Sequence, residues 1–177
     1  GAVGLADPAA DYPPALVAAD AQIHIAGATG GHSVAAEDFF QGYFTTALKQ
    51  GDIITGISLP PAPPHSAASF VKFARVEGDY ATVSVAAVVA FEGEICRRAR
   101  IVVGACGPVP TRVPEAEAEL IGASLDAAKL DAIGRMIAGE CRPVDDVRGS
   151  AGYRRKIIPE LVRRAVIEAR SRIEPAL

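Results

Sequence analysis

FVKFARVEGDYATVSVAAVVAF, residues 70–91, is the stretch of sequence that decides the fold. Its first part, from Phe70 to Val76, is rich in aromatic and β-branched residues, which suit a pleated, half-buried strand. Glu77-Gly78-Asp79 interrupts this run with residues that favour turns. From Ala81 the chain alternates strictly, and neither of its two faces carries a charge. We therefore predict two strands joined by a polar turn, with the second strand in the middle of a sheet.

The residues after this stretch predict one more strand and then helices. Glu92-Gly93-Glu94 is typical of a tight turn, and a strand from Ile95 to Val103 follows it. The next segment, Gly104 to Pro114, is a Pro/Gly-rich loop. Three helical segments then complete the chain: Glu115–Ile121, Leu125–Glu140 with Ser124 as its cap, and a last helix that Ser150 caps and that contains Pro159. Strands followed by helices predict an α+β lobe, a three-stranded antiparallel sheet backed by helices.

A first lobe precedes this sheet. The pattern predicts short elements in the following order: a helix that Asp7-Pro8 and Asp11 open and that runs to Ala18, strands at 21–26 and 33–36 around a glycine-rich turn, a helix within FFQGYFTTAL at 39–48, and a strand from Asp52 to Leu59. Pro60-Pro61-Ala62-Pro63-Pro64 is incompatible with a helix or a central strand. We interpret it as a linker, and we predict two lobes, residues 1–64 and residues 65–177.

Composition excludes several classes of protein. Half of the 177 residues are hydrophobic and the net charge is −3, which argues against disorder and against a nucleic-acid partner. The apolar runs are too short to span a membrane, and no basic segment opens a secretory signal. The three cysteines form no C-x-x-C pair, which argues against a zinc site, an iron–sulfur cluster or a disulfide framework. These features suit a cytoplasmic protein with no metal site of its own.

Catalytic motifs do not occur in this sequence. There is no nucleophile elbow, no G-x-x-x-x-G-K-[ST], no H-E-x-x-H and no complete G-x-G-x-x-G. We therefore predict no catalytic residue and no enzymatic activity of the chain alone.

A few charged residues leave two interpretations open. Lys72 shares a mostly apolar strand face, so it either snorkels from an edge strand or lies near an anionic ligand. Asp11 either caps a helix or is exposed at the surface. The basic residues of two segments are either solvated or contact an acidic partner or subunit: Arg97, Arg98 and Arg100 on the third strand, and Arg154, Arg155, Lys156, Arg163 and Arg164 facing outward on the last helix.

Four ordered segments carry a family resemblance. They are ADPAAD at 6–11, KFARVEGDYATVSVAA at 72–87, VG at 103–104 with PTR at 110–112, and DDVRGS at 145–150 running into YRR at 153–155. Together they resemble the FAD-binding medium subunit of molybdenum hydroxylases, the family of aerobic carbon monoxide dehydrogenase and xanthine dehydrogenase. The resemblance implies that residues 1–64 are the remnant of an α/β FAD-binding lobe. It also implies that residues 65–177 are the C-terminal domain of the carbon monoxide dehydrogenase flavoprotein type.

The resemblance also implies four cofactor-binding residues. Asp11 would contact the polar chain of FAD, and Ile54 would lie beside the flavin ring. Lys72 would offset negative charge near the reduced flavin. Tyr80 would place its ring near the isoalloxazine or form a hydrogen bond through its hydroxyl.

The function that the resemblance implies is electron transfer. Electrons would leave a substrate at a molybdenum cofactor on a large subunit, pass iron–sulfur clusters on a small subunit, and reach FAD and then an external acceptor. Gly1 to Gly4 resembles the tail of a glycine-rich turn at the FAD diphosphate, and the sequence begins after the family's first lobe. We therefore expect a fragment, a split gene product or a paralogue that binds FAD weakly or not at all by itself. The alternative is a non-catalytic interaction module that kept the fold and lost the cofactor.

Overall fold

The computed structural model describes residues 1–28 and 30–173. The elements of the first lobe are α1 (Ala2–Leu5), α2 (Tyr12–Ala18), β1 (Gln22–Gly27), β2 (Gly30–Ala35), α3 (Ala36–Phe39), β3 (Phe40–Gly42), β4 (Thr45–Thr46) and β5 (Ile53–Ser58). The elements of the second lobe are β6 (Ser66–Phe73), β7 (Val83–Glu92), β8 (Ile95–Gly104), β9 (Thr111–Arg112), α4 (Pro114–Ala118), α5 (Ala127–Glu140) and α6 (Ala151–Ser171). Pro60–Pro64 lies between them without regular structure, as its composition predicts.

An antiparallel sheet in the order β6-β7-β8-β9 organises the second lobe. Val85 of β7 lies between Val71 of β6 and Val103 of β8, and its side chain is fully buried. The prediction that this strand is central is therefore confirmed, and so is the antiparallel sheet of an α+β fold. The short strand β9 extends this sheet within the segment that the sequence predicts to be a loop, because Thr111 and Arg112 pair with Val103 and Val102.

The two faces of this sheet are covered by different layers. One face, which includes Val83, Val85 and Val89, packs against α4, α5 and α6. The other face, which includes Ala86 and Val102, packs against α2 and the core of the first lobe. The alternation that the sequence shows along β7 thus separates two apolar layers, which explains why neither face carries a charge.

The first lobe contains a second antiparallel sheet, in the order β2-β1-β5. Ile23 and Ile25 of β1 point into a core that also contains Phe39. Because Ala86 and Val102 of the larger sheet belong to this same core, the two lobes share buried surface.

The segment FFQGYFTTAL does not form the predicted helix. The helix ends at Phe39, and β3 and β4 form a hairpin in its place. Gly42 and the β-branched pair Thr45-Thr46 favour extended structure over a helix. Core packing, the role predicted for the aromatic residues, holds for Phe39 and Phe40, whose buried rings meet edge to face at 5.2 Å.

Of the two predicted capping residues, the one for α5 is wrong and the one for α6 is confirmed. Asp126, not Ser124, caps α5, because its Oδ1 accepts a hydrogen bond from Ala128 N at 3.1 Å. Ser150 caps α6 as predicted, and its Oγ accepts from Tyr153 N. The helix α6 continues through Pro159, which packs against Gly134 of α5.

A network of ion pairs connects the lobes, and it corrects the interpretation of Arg100 as a solvated residue. Arg100 of β8 is largely buried and donates to Val17 O at 2.8 Å and to Glu37 of α3 at 3.3 Å. Arg112 of β9 donates to both Glu37 and the buried Glu117. The network therefore joins α2 and α3 of the first lobe to β8 and β9 of the second.

None of the helices described in residues 1–28 and 30–173 is long and apolar enough to cross a membrane. Those same residues hold no group of three or more histidine, cysteine or acidic side chains arranged to bind a metal ion.

Candidate functional site

Two of the four predicted cofactor residues form an ion pair. Lys72 Nζ on β6 donates to Asp11 Oδ2 at 2.8 Å, and the two side chains remain 25% and 47% exposed. Asp11 occupies the N-cap position of α2, yet its side chain makes no capping hydrogen bond. The capping interpretation of Asp11 is therefore wrong. Lys72 lies on the edge strand of the sheet, as the snorkelling interpretation requires. The anionic group that it contacts is the Asp11 carboxylate of this same chain.

Tyr80 lies on a loop that is joined to the residues before Asp11. It belongs to the loop between β6 and β7, and the residue is 43% exposed. The backbone N–H of Ala81 donates to Ala9 O at 3.4 Å, which holds the loop beside the residues that precede α2. The structure thus joins Ala81, the residue after Tyr80, to Ala9, two positions before Asp11.

Ile54 lies in a different part of the molecule. It is half-buried on β5 and packs at the margin of the first lobe's core, where its Cδ1 is 3.7 Å from the position of a Cβ on Gly4. Asp11 and Lys72 meet at the boundary between α2 and the larger sheet, whereas Ile54 lies beside Gly4 of α1.

The side chains of Asp11, Lys72 and Tyr80 have chemistry that fits part of a flavin nucleotide. A carboxylate has several acceptor positions, and the exposed fraction of Asp11 leaves some of them accessible to hydroxyl donors. An ammonium group has three donors, and the structure describes one of them as directed to Asp11. The exposed phenol ring of Tyr80 offers a stacking surface. These groups suit the polar chain and the ring of the cofactor.

The part of FAD that these residues do not address is its diphosphate. Gly1, which resembles the tail of a phosphate-binding turn, is the N-cap of α1, and α1 is a single turn of helix, Ala2–Leu5. Its few backbone N–H groups are too short an array to serve as a phosphate cradle. The contribution of Gly1 to Gly4 to a diphosphate site therefore stays a prediction.

A cavity of about 190 Å³ lies on the other side of Arg148 from Tyr80's ring, with the residues that precede Asp11, namely Asp7, Pro8 and Ala9, in its wall. Arg148 connects the cavity to Tyr80, because its guanidinium carbon lies 5.3 Å from the centre of the Tyr80 ring. The cavity is lined by Asp7, Pro8, Ala9, Tyr43, Phe44, Ala105, Gly107, Val144, Asp146, Arg148 and Arg154.

Arg154 is buried in the wall of this cavity. The prediction that its side chain faces outward is therefore wrong. Its side chain is 4% exposed and donates to Ala105 O at 2.7 Å and to the Asp146 carboxylate. Burial by itself would raise the pKa of Asp146, but hydrogen bonds from the Arg148 backbone and the Arg154 guanidinium lower that pKa below its ordinary value. Asp146 therefore stays charged and fixes the loop that precedes α6.

Sequence reasoning missed this cavity because its walls come from four distant segments. The sequence pattern predicts a helix that contains Tyr43 and Phe44, and an outward-facing position for Arg154. The available signal was the resemblance of ADPAAD and DDVRGS to family motifs. It points to two of the four segments but does not indicate that they meet.

The three cysteines are not candidates for redox chemistry. All three thiols are free and buried. Burial raises the pKa of the Cys141 thiol to about 11, and it also raises the pKa of Cys106 and of Cys96. A protonated, buried thiol is a weak nucleophile, so these residues act as small core side chains.

Two family models match the chain. Residues 1–62 match the FAD-binding domain in molybdopterin dehydrogenase. Residues 68–169 match the CO dehydrogenase flavoprotein C-terminal domain.

Known proteins resemble this chain in both sequence and fold. The chain is 34% identical over 168 residues to the glyceraldehyde dehydrogenase medium chain of Sulfolobus acidocaldarius, an alignment that covers 95% of this chain and 59% of the relative. It is 34% identical over 166 residues to the carbon monoxide dehydrogenase medium chain of Afipia carboxidovorans, with coverages of 94% and 58%. A solved structure of carbon monoxide dehydrogenase from Hydrogenophaga pseudoflava superposes with a TM-score of 0.94 at 28% identity, over 98% of this chain and 61% of that chain. This chain thus spans about three fifths of the length of the relatives it matches.

Proposed function

This chain belongs to the molybdenum hydroxylase flavoprotein family, with the CO dehydrogenase flavoprotein C-terminal domain over residues 68–169, and we propose that it carries one side of an FAD site in an electron-transfer subunit. The observation that supports this proposal is the partly exposed Lys72–Asp11 ion pair, together with an exposed Tyr80 on the loop that Ala81 joins to Ala9. Each of these residues lies within a segment that resembles a family motif. Their side chains also offer the donors, the acceptors and the ring that a flavin nucleotide requires.

Each residue has a defined task in this proposal. Asp11 accepts hydrogen bonds from hydroxyl groups of the cofactor's polar chain. Lys72 offers its remaining donors and its positive charge toward the flavin ring, while its bond to Asp11 fixes its position. Tyr80 covers part of the ring, and Ile54 supplies an apolar contact from the first lobe. FAD, when bound, supplies the redox chemistry that links iron–sulfur clusters to an external acceptor.

The proposed partners are the other subunits of a molybdenum hydroxylase. The relatives are named medium chains, and we propose that this chain likewise assembles with a large subunit that carries a molybdenum cofactor and a small subunit that carries iron–sulfur clusters. The free, buried thiols suit a reducing compartment, so we propose a cytoplasmic complex.

The visible absorption spectrum of the purified full-length polypeptide that contains these residues, recorded after addition of FAD and removal of excess cofactor, tests the proposal. We expect the absorption bands of bound flavin to be retained. An interaction module that has lost its cofactor, the alternative function, would yield a colourless protein that still folds.

A further inference from the structure

The guanidinium group of Arg148 covers one face of the Tyr80 ring. Its central carbon lies over the ring at 5.3 Å from the centroid, which is within the range of a cation–π contact. The backbone of Tyr80 is held separately, because its N–H donates to Oδ1 of the neighbouring Asp79 at 2.7 Å. That bond fixes the end of the loop but not the ring. Among the contacts described for residues 1–28 and 30–173, the one with Arg148 therefore orients the ring.

Arg148 is itself held in a fixed turn. The backbones of Asp146 and Gly149 exchange two hydrogen bonds of 3.2 Å, and Asp146 Oδ1 accepts a further bond from Arg148 N at 2.7 Å. The turn is attached to the start of β7, because Thr82 Oγ1 donates to Arg148 O at 3.2 Å. Thr82 lies two residues after Tyr80. The turn at 146–149 and the loop that carries Tyr80 are therefore joined twice, once through Thr82 and once through the ring.

A buried arginine supports this turn from inside the protein. Arg154 is 4% exposed, and it donates to Ala105 O at 2.7 Å and to the Asp146 carboxylate. The second oxygen of Asp146 lies 4.0 Å from Nη1 of Arg148, at the limit of an ion pair. Asp146 thus gives its closer contact to Arg154. The guanidinium of Arg148, 31% exposed, is placed by its own backbone and left to face the ring of Tyr80.

From these contacts we propose that Arg148 is a positioning residue of the flavin site. Its guanidinium holds one face of the Tyr80 ring, so that the opposite face is the one presented to the flavin. The attraction is electrostatic, because the cation lies against the negative face of the aromatic ring. This proposal rests on the proposed function, which gives Tyr80 the task of covering part of the flavin ring. It adds that the turn at 146–149 sets the position of Tyr80.

The experiment measures FAD binding by the full-length polypeptide and by its Arg148→Met variant. Methionine keeps part of the length of the arginine side chain but has neither its charge nor its donors. We expect the Kd of FAD to rise about threefold or more, as loss of a cation–π contact does. We also expect the fluorescence of bound flavin to increase, because a tyrosine ring stacked on a flavin quenches its emission. Arg148→Lys keeps a cation for the ring and is expected to restore part of both signals.

A matched control lies at the opposite ends of the same two elements. Arg170, near the end of α6, lies over the ring of Phe91, near the end of β7, at 4.9 Å, and its side chain is 26% exposed. Arg170→Met therefore removes a contact of the same kind and of similar exposure. We expect it to change the Kd of FAD less than about twofold and to leave flavin fluorescence unaltered. A purely structural role of Arg148 would make the two variants alike.

A double-mutant cycle shows whether Arg148 acts through Tyr80. Tyr80→Leu removes the ring, and in that background we expect Arg148→Met to change the Kd of FAD less than about twofold. Flavin fluorescence is expected to stay at the level of Tyr80→Leu alone. A full effect of Arg148→Met in the absence of the ring would mean that the arginine acts by another route, and it would overturn the proposal.

The outcomes separate this proposal from the proposed function. If the wild type retains flavin and loses affinity with Tyr80→Leu but not with Arg148→Met, the positioning role of Arg148 is overturned and the flavin site stands. If Tyr80→Leu binds FAD as the wild type does, Tyr80 is removed from the site and Arg148 with it. A wild-type polypeptide that retains no flavin would overturn the proposed function and this proposal together.

Discussion

Glu117 is the residue on which the buried part of the ion network depends. Its side chain is 3% exposed, and it accepts hydrogen bonds from Arg112 Nη2 at 2.6 Å and from Ile101 N at 2.8 Å. The bond to Glu117 is also the main reason that the pKa of Arg112 is raised. A carboxylate at this depth is stable only because both its charge and its lone pairs have partners.

We predict that Glu117→Gln destabilises the protein by about 3 kcal/mol, because it removes the buried counter-ion of Arg112 and leaves only the half-exposed Glu37 to balance that partly buried charge. Glu92→Gln provides the control. Glu92 also pairs with an arginine, Arg97, but both side chains are mostly exposed, so we expect a change of at most about 1 kcal/mol. Urea unfolding at neutral pH measures both values. Equal effects of the two substitutions would show that burial does not govern the strength of this network.

The candidate site was only partly predictable at the scale of single residues. The alternation along β6 identified Lys72 as unusual, and the family resemblance identified Asp11 and Tyr80. Neither could predict that Lys72 and Asp11 pair, since they are 61 positions apart and meet only because α2 lies across the larger sheet. Alternation also could not predict the burial of Arg100, whose partners Val17 and Glu37 come from the other lobe.

At the scale of elements, the contact between α5 and α6 is unusually close. A Cβ placed on Gly134 would lie 2.5 Å from Pro159 Cα, so only glycine permits this approach. Pro159 donates no backbone hydrogen bond, yet α6 continues through it with Ile158 and Leu161 buried on either side. The packing of α6 on α5 and on the sheet compensates for the bond that proline removes.

We predict that Gly134→Ala destabilises the protein by about 2 kcal/mol or more, because the obstructing atom is backbone and the helices must separate. Gly139→Ala is the matched control on the same helix, where the added Cβ has no neighbour within 4 Å. There we expect stabilisation of about 0.5–1 kcal/mol, since alanine favours a helix more than glycine does. Thermal unfolding followed by circular dichroism distinguishes the two. A destabilisation common to both variants would contradict this explanation.

The elements themselves were predictable where one pattern dominated a long segment. The strict alternation of β7 and the spacing of apolar residues in α6 predicted both elements. The hairpin β3–β4 was missed because five large apolar residues happen to recur at helical spacing across it. Gly42 and the left-handed backbone of Phe44, at the tip of the hairpin, break the helical pattern at this point. The cap of α5 was missed because Ser124 and Asp126 are both good capping residues.

At the scale of the molecule, the two lobes are bound by a common core and by the ion network. The linker Pro60–Pro64 suggests separable units, but Ala86 and Val102 of the larger sheet are buried within the core of the first lobe. Arg100 and Arg112 add charged contacts to Glu37 across the same boundary.

We therefore predict that residues 1–177 unfold in a single cooperative transition. Far-ultraviolet circular dichroism and tyrosine fluorescence during urea unfolding measure it, because the four tyrosines lie in both lobes. The two signals are expected to give one midpoint. Two separated transitions would mean that the shared core is too weak to couple the lobes, and that the lobes are separable units, as the linker suggests.

Which parts of FAD this chain can bind is also a question at the scale of the whole molecule. The residues that this chain supplies suit the ring and the polar chain of the cofactor, and a diphosphate needs a longer array of backbone N–H groups than α1 presents. We predict that residues 1–177 alone bind FAD in the millimolar range or more weakly, because each missing charge-assisted hydrogen bond costs about 1.5–3 kcal/mol.

The measurement that tests the flavin site most directly is the Kd of FAD for the full-length polypeptide, followed by flavin fluorescence, with and without the double substitution Asp11→Asn and Lys72→Met. The double substitution removes both charges together, so the fold is expected to persist. We predict tight binding by the wild type and a Kd at least about tenfold higher in the double variant, from the loss of hydrogen bonds to charged groups. An unchanged Kd would contradict the assignment of Asp11 and Lys72 to the flavin site.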